Sequence, residues 1–187
     1  MMKKIGLFIK FSILSFAVLG QKIDTTKKES RFQLFYRSAP MRIPDLSLDT
    51  FVQYHGYEFM FGIDSCIRDK NFVRPKIDIG AQKRINIFRI IQPVSSEDCV
   101  TFIKNHSGIL PSAYGLITAY ILIGNKLPYD GFVIIGIDEK GNLTKGGCGI
   151  PLIKWYTEKP GVSGWSFGYG DWPGNWQIGR YILFFSS

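Results

Sequence analysis

Between Pro111 and Gly124 the chain carries Tyr114, Leu116, Ile117, Tyr120, Ile121, Leu122 and Ile123, so a helix through them is apolar nearly all round. A surface helix keeps one polar face, whereas a helix without one must be covered on every side. Proline suits the first helical turn and glycine the stop. The pattern therefore predicts a buried helix over Pro111 to Gly124, with the fold built around it. It is too short to span a bilayer.

The preceding segment is punctuated differently. In Ser95-Ser96-Glu97-Asp98 a serine is followed three residues later by an acid, and both acids favour the positive end of a helix. This predicts a helix running to about His106, with Gly108 as its stop.

The remaining signals are those of strands. Phe32, Leu34 and Tyr36 alternate in a first strand that ends near Pro40. Asp49 to Phe61 is ambiguous, but the alternation of Tyr57, Phe59 and Phe61 favours a strand at its end. Within Lys76 to Gln92, Ile85, Ile87 and Arg89 share one face and Asn86, Phe88 and Ile90 the other. The β-branched content there favours a strand over a helix. Phe132 to Ile137, Ile150 to Tyr156 and Arg180 to Ser186 complete the set, with a turn at Asp138 to Asn142. The expected fold class is α+β: a single domain, mainly an antiparallel sheet, with two helices in mid-chain.

The first twenty residues stand apart from this fold. Lys3 and Lys4 precede an apolar run from Ile5 to Gly20, the order of charged and hydrophobic regions in a signal peptide. Cleavage is expected after Gly20 or after Ala17, where small residues occupy the required positions. A membrane anchor fits less well. The run is sixteen residues long and holds Lys10, and a lysine at the bilayer centre costs about 2.5–3.5 kcal/mol. The expected product is secreted or periplasmic, without a membrane span after cleavage. It comprises a polar lead-in over 21–31 and one domain over 32–187.

Export changes how charge and cysteine are read. Losing Lys3, Lys4 and Lys10 lowers the net charge from +8 to +5. The remaining basic residues are dispersed and no nucleic-acid motif accompanies them, so a nucleic-acid partner is disfavoured. An oxidising destination permits one disulfide among Cys66, Cys99 and Cys148, and spacing does not choose the pair.

The most unusual stretch is Pro160 to Gly179. Trp165, Tyr169, Trp172 and Trp176 are separated there by Gly161, Gly164, Gly168, Gly170 and Gly174, with Asp171 as the segment's only acid. Flat rings on a glycine-rich loop suit stacking against sugar faces, and the same residue types anchor protein interfaces. The competing expectation is that the rings close the core, because tryptophan is highly buried on average.

A second candidate pairs Cys148, in a glycine-rich segment, with His106 as base, His55 being the only other choice. A thiolate made by a nearby base is the requirement of a cysteine hydrolase. The bland expectation is a buried or bonded cysteine and a surface histidine. Two histidines, with no His-x-x-x-His and no acidic triad, give no transition-metal site, and no cofactor motif is present. Gly161-Val162-Ser163-Gly164-Trp165 has the wrong order for a nucleophile elbow.

The preferred functional expectation is an exported, non-catalytic binding module. It would recognise glycan or an extracellular or periplasmic protein through Trp165, Tyr169, Asp171, Trp172 and Trp176, with an inhibitor or immunity-type role in the same class. The alternative is a Cys148/His106 hydrolase acting on cell-wall or other extracellular substrate.

Overall fold

The sheet is built outward from two strands whose side chains are buried on both faces, β3 (Gln82–Ile90) and β7 (Tyr181–Ser186). The computed structural model describes residues 31–128, 133–138, 149–170 and 175–187. The other elements are β1 (Phe32–Arg37), β2 (Met41–Arg42), α1 (Leu48–His55), α2 (Ser96–Asn105), α3 (Ser112–Ile123), β4 (Val133–Ile135), β5 (Ile150–Lys159) and β6 (Val162–Gly170). The strand order is β1-β3-β7-β4-β5-β6, with β2 also paired to β3. Every pairing is antiparallel except β4 with β7. The fold is thus α+β, with three α-helices and one mostly antiparallel sheet among the described residues.

Alternation along the central strands divides the core in two. Ile85, Ile87, Leu183 and Phe185 face a cluster that holds Leu48 and Phe51 of α1 and Leu116 and Ile117 of α3. Phe88, Ile90, Ile182 and Phe184 face a second cluster with Cys99 and Ile103 of α2. The sheet therefore lies between α1 and α3 on one side and α2 on the other. Since α3 is buried around most of its circumference, its lack of a polar face is explained. No helix among the described residues is long and apolar enough to cross a membrane.

Two sequence expectations are corrected. The ambiguous stretch after Asp49 is not a strand: α1 fills its first half and continues into a 3₁₀ turn, Gly56–Glu58. Its start depends on a distant residue. Ser47 Oγ accepts from Thr50 N–H and donates to Asp69 Oδ2, while Asp69 Oδ1 accepts from Leu48 N–H at 2.7 Å. The second correction concerns Pro160 to Gly179. Much of it is strand β6, hairpinned to β5, with Trp155 opposite Trp165 and Ile153 opposite Phe167. The expected strand Phe132 to Ile137 is observed as Val133–Ile135. The turn at 138–142 lies outside the described residues from 139 onward.

Candidate functional site

The parallel pair β4/β7 is short. Ile134 lies opposite Tyr181 and Ile135 opposite Ile182, and there the pairing ends. Gly136 N–H stays with β5 by donating to Pro151 O at 2.9 Å. Farther along β7 the place of β4 is taken by Ile109, whose N–H donates to Phe185 O at 2.7 Å and whose carbonyl accepts from Phe185 N–H at 3.2 Å. Because α2 and α3 cover opposite faces, the connection between them threads this gap from one side of the sheet to the other.

The chemistry of the crossing is unusual at both ends. Helix α2 stops in a Schellman arrangement: Ser107 N–H donates to Lys104 O at 3.0 Å and Gly108 N–H to Ile103 O at 2.9 Å. The left-handed position of that motif normally belongs to glycine, yet Ser107 holds it, with φ of 51°. Gly108, the expected stop, serves another purpose. A Cβ there would lie 2.5 Å from Phe184 Cδ2 and 2.8 Å from Ile103 Cγ2, so the absent side chain lets the linker press onto the core. At the far end Ser112 is also left-handed, with φ of 55°. Its hydroxyl is buried and has no hydrogen-bond partner among the described residues. Ser107 and Ser112 are the only non-glycine residues with positive φ among those described, and each such conformation costs about 1–2 kcal/mol.

A cleft of about 320 Å³ opens beside the crossing. Val73, Pro75, Ile109 and Leu110 give it an apolar surface, and Arg74, Lys76, Lys104 and Asp138 bring charge. Arg74 is anchored. Its guanidinium donates to Asp45 Oδ1 at 2.5 Å and to Leu46 O, and lies 5.4 Å from the centre of the Tyr114 ring. Tyr114 in turn donates to Asp69 Oδ1 at 2.8 Å. Burial alone raises the Asp69 carboxyl, but hydrogen bonds from Ser47, Leu48 and Tyr114 outweigh it and hold the group below its ordinary range. Burial, and then the Asp69 carboxylate, push the Tyr114 hydroxyl up.

Of the residues singled out in the sequence, those that are described do not meet in one place. Trp165, 7% exposed, packs in the α1/α3-side cluster, edge-on to Tyr120 and Trp155. Trp176, 8% exposed, lies in the α2-side cluster and donates from Nε1 to Ser96 Oγ at 2.9 Å. These two rings close the core on opposite sides of the sheet. Tyr169 is 41% exposed at the end of β6. Asp171 and Trp172 lie outside the described residues, as does Cys148. His106 is exposed, with Nδ1 2.8 Å from Phe102 O and its ring near those of Phe88, Phe102 and Phe184. His55 pairs with Glu58 at 2.9 Å. Cys66 and Cys99 are not joined in a disulfide, and burial pushes the Cys99 thiol up to about 12, away from nucleophilic use. The described residues contain no cluster of three or more metal-ligating side chains.

Comparison with protein families, curated proteins and solved structures finds no match. The site is therefore read from its geometry. Sequence reasoning passed over Ser107, Ser112, Arg74, Lys76 and Lys104. The available signal was the short stretch from Gly108 to Pro111. It joins a helix with a polar face to one without, a change of surroundings that a crossing of the sheet supplies.

Proposed function

We propose that the protein is an exported, non-catalytic binding module that holds a small ligand in the cleft at the α2–α3 crossing. The observation that carries this reading is the pair of left-handed serines bracketing a linker that runs through the sheet beside that cleft. Such strain persists only where the surroundings enforce it, and it concentrates at ligand sites. The volume is at the lower end of that found for small-molecule sites.

The test is a fragment set screened against the ¹⁵N-labelled protein. Fragments should move the amide signals of Lys76, Ile109, Leu110 and Asp138 together, and Leu110→Trp, which fills the cleft, should abolish the shifts. A set whose hits all fall elsewhere sinks the proposal. Export is checked separately, by N-terminal sequencing of the protein recovered outside the cytoplasm: a chain starting at Gln21 or Val18 supports it, and a retained Met1 overturns it.

A second reading, recognition of a partner protein on the β5–β6 ribbon, rests on its own observation. One row of β6 consists of Gly164, Ser166, Gly168 and Gly170. Met60 covers Gly164, whereas the space over Gly168 is open. Gly168 therefore lacks a side chain without an internal reason, as where another backbone approaches a strand closely. Beside this row the exposed Tyr156 ring is braced edge-on by Phe61, with Lys154 Nζ 4.4 Å from its centre. A ring whose face already holds an ammonium suits a protein surface better than a stacked sugar. Gly168→Val should leave the fold intact and block such a partner; undiminished capture of that partner by the variant would remove this reading.

A further inference from the structure

We infer that the protein has a second binding site, on α1, for one sugar ring of a neutral glycan. This site is separate from the crossover cleft and stands or falls without it. A cleft of about 220 Å³ is bordered by α1 and by Ile121 of α3. Ile121 and Tyr54, which is 62% exposed, give it apolar surface. Thr50 and His55 give it polar groups. Thr50 and Tyr54 are four residues apart on α1, so both lie on one face of the helix. The volume is below that of most small-molecule sites and suits a single ring of a longer chain.

The imidazole is held in one orientation. It stacks on Phe51, with ring centres 5.1 Å apart. Nδ1 lies 2.9 Å from Glu58 Oε1, and the Tyr120 hydroxyl donates to Glu58 Oε2 at 2.9 Å. Burial alone raises the Glu58 carboxyl, but hydrogen bonds from His55 and Tyr120 outweigh it and hold the group below its ordinary range. A carboxylate only accepts, so Nδ1 carries the hydrogen and Nε2 of the neutral ring is left as an acceptor. Neither Nε2 nor the Thr50 hydroxyl has a partner among the described residues. The other polar groups of the cleft are engaged, Ser47 with Asp69 and Asp45 with Arg74. A sugar brings a hydroxyl donor to His55 and a partner to Thr50, while its C–H face covers the Tyr54 ring.

Other ligand classes fit worse. An anion meets no lysine or arginine among the described residues that line the cleft. A cation meets carboxylates that already have partners. A hydrocarbon leaves His55 and Thr50 unpaired as it dries them.

The experiment titrates cellotriose, chitotriose and maltotriose into the ¹⁵N-labelled protein, with trigalacturonate and choline as charged controls. At least one neutral sugar should shift the amides of Thr50, Tyr54, His55 and Ile121 together, and neither control should. Tyr54→Ala and His55→Ala should each weaken that binding about fivefold or more, while Tyr54→Phe, which keeps the ring, changes it by less than about twofold. Tyr54 is exposed, so its variants are expected to fold, and their amide spectra check this. Thr50→Val replaces His55→Ala if loss of the Phe51 stack disturbs α1. Silence of these amides toward all three sugars, equal binding of either control, or full affinity in Tyr54→Ala overturns the site. Shifts confined to Lys76, Ile109 and Leu110 overturn it too and place the sugar in the crossover cleft.

Discussion

Helices α2 and α3 begin sixteen residues apart, and their first turns are built in opposite ways. At α2 every local requirement is met. Ser95 Oγ accepts from Asp98 N–H and Asp98 Oδ2 accepts from Ser95 N–H, both at 3.0 Å. Arg31 then grips the Asp98 carboxylate from outside the helix at 2.6 and 2.8 Å. At α3 no side chain caps the helix, and the residue before it, Pro111, is already in a helical conformation. Its first residue is strained and holds a buried hydroxyl without a partner among the described residues. The first arrangement does nothing but fix a helix end. The second departs from local preference where the chain crosses the sheet, and such departures mark places where another demand was met. What overrides local preference at α3 is visible around it. Gly136 has no room for a Cβ, which would lie 2.6 Å from Ser112 O and 2.8 Å from Leu116 Cγ. The crossing is too tightly packed for an ordinary helix start.

That packing supplies the largest expected effect. Gly108→Ala places a methyl against Phe184 and Ile103 and should destabilise the protein by about 2–3 kcal/mol, the upper range for overpacking a filled core. Chemical denaturation reads it directly. A loss below about 0.5 kcal/mol would mean that the linker shifts freely and that the strain at its ends is not enforced by packing.

The next effect tests the other helix. Asp98→Ala removes half of the capping box and the partner of Arg31, and should cost about 1–2 kcal/mol. It also carries a pH signature. Hydrogen bonding to Arg31, and then to Ser95, lowers the Asp98 carboxyl from 3.8 to about 2. Its contribution is fully present above pH 4 and is lost as the pH falls through 3.8 toward about 2. The wild-type protein should lose stability across that window and the variant should lose less. Parallel acid curves for the two proteins would count against the Arg31–Asp98 clamp.

The sharpest contrast is one substitution made twice. Ser95→Ala should destabilise by about 1 kcal/mol through loss of the cap. Ser112→Ala removes a buried hydroxyl that no described residue satisfies, and should stabilise by up to about 1 kcal/mol. Melting temperatures should therefore move in opposite directions by about 2–4 °C each. If Ser112→Ala also weakens fragment binding in the cleft, the hydroxyl belongs to the ligand; if it only stabilises, the cost at α3 is one of packing.

The same contrast explains what the sequence could and could not reveal. The α2 start was legible because all its information lies within Ser95 to Asp98. The burial of α3 was legible because composition alone demanded it. Helix α1 was not, since Ser47 works with Asp69, twenty-two residues away, and only Leu48 and Phe51 of the helix are buried. Strand β6 was legible in principle. Trp165, Phe167 and Tyr169 alternate strictly with Gly164, Ser166, Gly168 and Gly170, a period of two that the glycines disguised as a loop. Of the sequence's binding candidates, Trp165 and Trp176 reflect core closure, which spacing alone does not distinguish from a platform. The cleft was hidden for a simpler reason. Arg74, Lys76 and Lys104 come together only through tertiary packing, and the left-handed conformation of a serine leaves no trace in composition.

The smallest effect asks whether strain at the near end of the crossing is stored or incidental. Ser107 occupies the position where a helix stop most favours glycine, so Ser107→Gly removes a steric cost while its neighbours stay in place. Glycine also enlarges the freedom of the unfolded chain, which returns part of that gain. The net stabilisation should be about 0.5–1 kcal/mol, or a rise of about 1–4 °C in Tm. Its ligand readout discriminates further. A linker held in one conformation by packing keeps the shape of the cleft when Ser107 becomes glycine, and the affinity of a cleft-binding fragment is then unchanged. A linker held partly by the serine itself loosens, and affinity falls as stability rises. The first outcome assigns the strain to the sheet crossing; the second makes Ser107 part of the binding site.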